Sequence, residues 1–375
     1  MAEVTPITLV IGLPGAGKTT LLRDLLRRPG MADIALVTAP PDPPMWWRGG
    51  CLCCAPRDDV ARALRALLPR VRRDEVRRVV IETSGMADPG PILATLLSDT
   101  VAASAYRLDA IVTVIDAVNG AAALDAPATR DPHGTLDPLA TLDGQAIADA
   151  RPIVDAQAAQ AARTIVDTRA TRDAHERAVR QVAVADRIVL NKTDLADSTG
   201  LRVRLRLLNP GAPVVPAPLG AIDPASVLGA GLTAASGRAA GLRAWLNPQA
   251  FDAADRAANP GDASPCRSAG HAAGVSKFCL SYDRPLPWPD IMRRLERLIL
   301  THGNAVLRMK AILHLQDHDR PLAIHSMGHL LHPPIPLAAW PDGDPRISHL
   351  AFVTRDLARS DVEAALPPCA AVSWR

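Results

Sequence analysis

Residues 7–26 read ITLVIGLPGAGKTTLLRDLL. An unbroken apolar run, a glycine-rich turn and a stretch with leucines at helical spacing follow one another without a gap. That order predicts a buried strand, a tight loop and a helix with Leu21, Leu22, Leu25 and Leu26 on its inner side. Gly12 to Thr19 is G-x-x-x-x-G-K-T, the phosphate-binding loop pattern. Glycines let successive backbone N–H groups curve around phosphates, and the start of the following helix adds positive potential. The loop residues Gly12, Gly15, Ala16, Gly17, Lys18, Thr19 and Thr20 are the candidate phosphate contacts. Lys18 would reach the outer phosphates and Thr19 would offer its hydroxyl to Mg²⁺. The plain alternative is a glycine-rich turn without a ligand, but strand and helix flank the motif as phosphate binding requires.

Downstream, DRIVLNKTDL (Asp186–Leu195) is a second buried strand ending in Asn191-Lys192-Thr193-Asp194. This N-K-x-D tetrad resembles the guanine-reading motif of GTPases. A carboxylate there, Asp194, can accept hydrogen bonds from guanine N1–H and the 2-amino group, which adenine does not offer. Asn191 and Lys192 would brace and cover the base. The same tetrad is also ordinary turn chemistry, and its position after a strand, downstream of a phosphate loop, favours GTP over ATP. Between the two motifs, RRVVIETSGMADP (Arg77–Pro89) ends a strand on Glu82. An acid at the carboxyl end of a strand beside the phosphate loop is where Mg²⁺ or its water needs a partner. Lys18, Thr19 and Glu82 are therefore the candidate catalytic residues, and Thr19 with Glu82 the candidate Mg²⁺ ligands; the competing reading of Glu82 is a helix-start residue. LDAIVTVIDAVNG (Leu108–Gly120) ends a further strand on Asp116, a second candidate acid or a structural residue.

Lys and Arg number 42 against 39 Asp and Glu, leaving a net charge of +3. That balance offers no argument for a nucleic-acid or membrane partner. With three Phe and two Tyr, aliphatic side chains must build the core. The N-terminus enters a strand directly, without a basic region or a long apolar run, and no stretch of about 20 apolar residues suggests a membrane span. Six cysteines in 375 residues do not resemble a secreted disulfide framework. These features together point to the cytoplasm.

Three of the six cysteines, Cys51, Cys53 and Cys54, fall within RGGCLCCAPRDD (Arg48–Asp59). Neighbours so close strain a disulfide and leave one thiol over. Metal binding, redox chemistry and inert thiols remain; redox use would predict C-x-x-C before a helix in a thioredoxin-like unit, which is absent. Thiolates are soft ligands suited to Zn²⁺ or Co²⁺, and three leave a fourth position open for transfer.

Gly12–Thr19, GCLCC at Gly50–Cys54, ETSGMADP at Glu82–Pro89 and NKTD at Asn191–Asp194 occur in the order seen in CobW-type GTPases, and the chain resembles that family over most of its length. These are P-loop proteins related to the nickel-insertion GTPases of hydrogenase and urease maturation. The resemblance implies a cytosolic metallochaperone in which binding and hydrolysis of GTP to GDP switch a Zn²⁺ or Co²⁺ site and its hold on a metal-requiring client protein, with a connection to cobalamin synthesis. It assigns the metal site to Cys51, Cys53 and Cys54, and leaves a homodimer open. The alternative, from a different class, is a GTP-dependent regulatory binding module with a degenerate metal site; a third reading, an ATP-driven small-molecule kinase, requires adenine preference. The chain departs from the family in APPDPPMWWRGG before the cysteines, where the family's Asn-Glu-aromatic-Gly stretch has no counterpart. It departs again in a longer Ala-, Asp- and Thr-rich insertion at about 126–172.

The expected fold is α/β, a doubly wound, mostly parallel P-loop NTPase sheet, followed by a smaller α+β domain of ferredoxin-like type. Its divisions are a nucleotide domain over 1–220, a helical segment and linker over 221–274, and a C-terminal domain over 275–375. In the last, periodicity reads strand 275–282, helix 289–302, strands 304–315 and 321–332, strand 346–354 and helix 360–366. Seven histidines lie beyond His271. Alternation along strands scatters them; structural or solvent-exposed histidines are the favoured reading, and an exposed His325–His329 pair on one strand face is the modest metal-site alternative. Cys266, Cys279 and Cys369 are isolated and read as ordinary residues.

Overall fold

A computed structural model of the chain describes residues 4–38, 55–85, 89–125, 173–232, 239–258, 274–340 and 345–368. The first apolar run forms β1 (Thr5–Ile11) and the leucine-rich stretch forms α1 (Lys18–Leu26). Then come β2 (Ile34–Thr38), α2 (Ala55–Arg72), β3 (Arg78–Glu82), α3 (Pro89–Ser98), β4 (Tyr106–Asp116), a helix over 173–183, β5 (Arg187–Asn191) and β6 (Val214–Ala217). The six strands make one parallel sheet in the order β2-β3-β1-β4-β5-β6. Parallel strands need crossovers, so helices cover both faces and the strands read as continuous apolar runs instead of alternating. Leu21, Leu22 and Leu25 are fully buried beneath β1, β3 and β4, and each contributes roughly 1.5–3 kcal/mol. The strand order reverses on either side of β1, so the loop after β1 lies at the topological switch point, where such sheets open a crevice.

A second, antiparallel sheet follows: β7 (Val275–Tyr282), β8 (Val306–Leu315), β9 (His318–Met327), β10 (Leu330–Leu331), β11 (Ile335–Pro336) and β12 (Ser348–Arg355). Its order is β10-β9-β8-β12-β7, with β11 paired to β9. β7 and β8 both run antiparallel to β12, so they are parallel to one another and joined by the helix Trp288–His302. This is the split βαβ unit of a ferredoxin-like sandwich, with one difference: the late strand β12 fills the gap, and the hairpin strand β9 lies outside it. The predicted strand 321–332 is interrupted, because Gly328 turns the chain at φ 55° between β9 and β10. His325 and His329 consequently share no strand face. His329 is exposed and bonded to Asn304, and His325 is buried and stacks on His332, ring centroids 4.3 Å apart. No described helix is long and apolar enough to cross a membrane. The insertion at 126–172 lies outside the described residues.

Strand alternation gives the second sheet two unlike faces. Phe278, Leu280, Met309, Leu350 and Phe352 pack under the helix Trp288–His302. The opposite face carries Leu307, Ile312, Ala351 and Val353 into a core shared with Val179 and Val182 of helix 173–183 and with Trp245. Arg308 and Lys310 also lie on this inner face and reach Asp186, at the foot of β5. Asp186 Oδ1 meets Arg308 Nη2 and Lys310 Nζ, both at 2.7 Å, and Oδ2 accepts from the Ile111 N–H at 2.8 Å. Burial pushes the Asp186 carboxyl up, but the two cations and the backbone donor outweigh it and hold it below the ordinary range.

Two outcomes follow from this seam. Asp186→Asn leaves two buried cations without a countercharge and is expected to cost about 3–5 kcal/mol in urea unfolding. Burial also pushes His332 down to about 3 and His325 well below its usual value, with Arg308 adding to both shifts. Both imidazoles are thus neutral in the fold but take up protons in the unfolded chain below about pH 6.5. The unfolded state then binds more protons, so stability is flat above that pH and falls as pH drops through it, by up to about 1.4 kcal/mol per pH unit for each histidine. Unfolding midpoints measured from pH 7.5 to 5 are expected to decline in the native chain and to flatten in a His325→Phe/His332→Phe variant.

Candidate functional site

Four strands deliver their carboxyl ends to one place. β1 ends in the loop 12–17, β3 in Glu82, β4 in Asp116 and β5 in Asn191, and the register sets Val10 beside Glu82 and Asp116 beside Asn191. Gly17 has φ 90°, and a Cβ there would run into the side-chain amide of Asn191; a larger residue would be both strained and obstructed. Gly85 approaches just as closely from the other side, where a Cβ would collide with the backbone of Pro14. The Glu82-Thr83-Ser84-Gly85 turn thus packs directly on the phosphate loop, and Thr83 N–H donates to Val10 O at 3.0 Å.

Within this frame, Lys18 is buried and its ammonium donates to Gly12 O at 2.8 Å and Leu13 O at 3.2 Å. The Thr19 hydroxyl donates to Glu82 Oε1, joining two residues 63 positions apart. Gly12, Gly15 and Gly17 all hold positive φ, Ala16 is buried, and Thr20 lies exposed on the first turn of α1.

The second motif braces the first. Asn191 Nδ2 donates to Ala16 O at 2.9 Å, and Lys192 Nζ donates to Gly15 O at 2.9 Å and to Asp116 Oδ2 at 2.7 Å. Asp116 also accepts from Val118 N–H and from the Asn119 amide. Desolvation pushes the Asp116 carboxyl up, and Lys192 with the two N–H donors overcomes it, keeping the group ionised below its ordinary value. Weighed in the sequence as a second acid, Asp116 serves here as the anchor that aims Lys192 across the loop. The signal was its place at a strand end level with Asn191. Asp194 is exposed at the rim, one carboxylate oxygen held by Leu219 N–H at 2.7 Å. Leu219 itself was not foreseen: it has φ 53° and is 85% exposed beside that carboxylate. An apolar side chain displayed there flanks the same rim.

Cys51, Cys53 and Cys54 lie outside the described residues, as do Asp42, Trp46, Trp47, Cys266 and Cys369. Among the described residues no group of three or more His, Cys, Asp and Glu side chains is arranged to hold a metal ion. Cys279 is buried in β7, where burial pushes its thiol up to about 12 and makes it inert.

Two family models match this chain in order. Residues 46–216 match the nucleotide-binding domain described as CobW/HypB/UreG, and residues 275–370 match the cobalamin synthesis protein cobW C-terminal domain. The zinc chaperone YjiA of Escherichia coli (strain K12) is 26% identical over 381 residues, spanning 96% of each chain. The zinc-regulated GTPase metalloprotein activator 1 of Schizosaccharomyces pombe is 34% identical over 137 residues, 31% of this chain and 33% of that protein. The crystal structure of Zn(II)-bound YjiA GTPase from E. coli aligns over 97% of this chain and 98% of that one, with a TM-score of 0.56 at 23% identity, a likeness of fold. The nucleotide-binding and C-terminal models of one family thus match this chain one after the other, and this protein belongs to the CobW family.

Proposed function

We propose that this protein binds and hydrolyses GTP and uses that cycle to carry Zn²⁺ to a metal-requiring client protein. The observation that supports it most is the joining of Thr19 to Glu82 beneath the loop that Asn191 and Lys192 brace. In this reading residues 1–220 are the nucleotide domain and 275–375 the C-terminal domain. The backbone of Gly12–Gly17 and the Lys18 ammonium hold the phosphates, and Thr19 with Glu82 would hold Mg²⁺. The Gly17 position, where a Cβ would fill the space, suits close approach of a phosphate. Mg²⁺, when bound, supplies positive charge between the terminal phosphates. Lys18 stabilises charge on the transferred group, and Glu82 orients the Thr19 hydroxyl.

Asp194 reads guanine, with Leu219 N–H fixing its carboxylate and the Leu219 side chain offering an apolar edge to the base. Adenine presents no donor pair to that carboxylate. Cys51, Cys53 and Cys54 carry the metal; Zn²⁺ is favoured because the similar proteins from E. coli and S. pombe bear zinc in their names. Co²⁺ suits the same thiolates, and the connection to cobalamin synthesis rests on the name of the C-terminal family model.

Asp194→Asn is expected to weaken GDP binding by about 100-fold and to favour xanthosine diphosphate, measured with fluorescent analogues. Unchanged preference for guanine would remove Asp194 from base reading. Replacing Cys51, Cys53 and Cys54 together by Ser is expected to abolish tight Zn²⁺ binding in chelator competition and leave GDP affinity intact. Retained zinc affinity would favour a GTP-dependent binding module that carries no metal at these thiols.

A further inference from the structure

The seam between the two sheets holds more cation than carboxylate. Arg308 and Lys310 meet Asp186, and Arg187, the next residue along the chain, adds a third positive charge near the same carboxylate. Lys310 Nζ also donates to Trp245 O at 3.1 Å and lies 5.0 Å from the centre of the Trp245 ring, contacts that favour the ammonium form while burial pushes its pKa down and Asp186 opposes that. His325 stands edge-on to Trp245 and stacks on His332, with their planes 9° apart. Arg308 bears on both imidazoles.

Several buried polar atoms in this seam have no partner. Arg308 has only 4% of its side chain exposed and uses Nη2 on Asp186, yet its Nε and Nη1 have no hydrogen-bond partner. Arg187 Nε, Trp245 Nε1, His325 Nδ1 and His332 Nε2 are likewise buried without partners. Such groups cost about 1–3 kcal/mol each when left unmet, and more for a charged donor. One orphan is unremarkable in a folded protein; Arg308, with two unpartnered donors beside a carboxylate already shared with Lys310 and a backbone N–H, is not.

We propose that a small inorganic monoanion of halide size completes this seam, held by the unpartnered N–H groups of Arg308 and Trp245 beside the His325–His332 stack, whose ring nitrogens join them in the tautomers that carry the proton there. The anion offsets part of the surplus of Arg187, Arg308 and Lys310 over Asp186 and supplies an acceptor to buried N–H groups. A small ion is proposed because the neighbouring Trp245, His325 and His332 rings are themselves packed against one another. It is distinct from the phosphate loop, which lies at the opposite end of β5.

The test uses the full chain, with bromide as probe. Crystals grown in sodium bromide are expected to show an anomalous peak within hydrogen-bond reach of Arg308. In solution, thermal midpoints are compared in sodium bromide and in sodium gluconate at matched ionic strength, both with saturating GDP so that the phosphate loop is occupied. A saturable rise of about 4 °C in bromide is expected. His332→Phe keeps the stack and the Asp186 ion pairs but removes one donor, and it is expected to shift the bromide midpoint concentration upward about fivefold. Density that fits water alone at Arg308, equal midpoints in the two salts, or a His332→Phe response identical to the native chain would each overturn the proposal.

Discussion

Asp186 is a fully buried carboxylate, and a buried carboxylate is stable only where countercharge and hydrogen bonds meet it. Its partners come from two places. Ile111 N–H, in the neighbouring strand β4, belongs to its own sheet, whereas Arg308 and Lys310 belong to the second sheet. The parallel sheet therefore completes its electrostatics only when the antiparallel sheet is docked. The apolar packing agrees, since Val179 and Val182 share one core with Leu307, Ile312 and Val353. The antiparallel sheet is built onto the parallel one through a shared core and shared ion pairs.

That constraint bears on the site through β5. The strand runs five residues from Arg187 to Asn191, and the Asn191 amide holds Ala16 O of the phosphate loop. One end is fixed by the ionic seam and the other fixes the loop. A strand paired on both sides transmits displacement with little bending, because close-packed interiors deform poorly. Asn191 and Lys192 thus act as struts of the loop. Lys192 spans from Gly15 O to Asp116 at the end of β4, and so ties three strand ends together.

Much of this was legible in the sequence because the signals were local. Glycine, lysine and threonine spacing defined the phosphate loop, and continuous apolar runs located β1, β3, β4 and β5 to within a residue or two. In the C-terminal part periodicity located β7, β8, β12 and the helix Trp288–His302, but it ran one predicted strand through the turn at Gly328. What stayed hidden depended on pairs distant in the chain. Asp186 reads as the polar start of a strand, and nothing local reveals that Arg308, 122 positions away, will neutralise it. His325 and His332 differ by seven residues, and only the turn at Gly328 brings their rings together. Leu219 gave no signal either, because its role depends on a left-handed backbone beside Asp194, and leucine does not announce that conformation.

The second sheet also touches the other half of the site. Met327, at the end of β9, is buried in the same core as Ile92, Leu93 and Leu96 of α3, and Leu330 packs against that core from β10. α3 is the first helix after Glu82-Thr83-Ser84-Gly85, the turn that lies on Pro14 of the phosphate loop. The C-terminal sheet is therefore in contact with the strand that carries Asn191 and with the helix that follows Glu82. A shift of that turn toward or away from the phosphates moves the start of α3. Because Met327 fills a packed interior, α3 can move only if the hairpin moves with it or a cavity opens, which costs about 24 cal/mol for each Å³ left empty. Met327 and Leu330 thus tie the antiparallel sheet to the helix that follows the Glu82 turn, so that the two sheets share packing at both halves of the site.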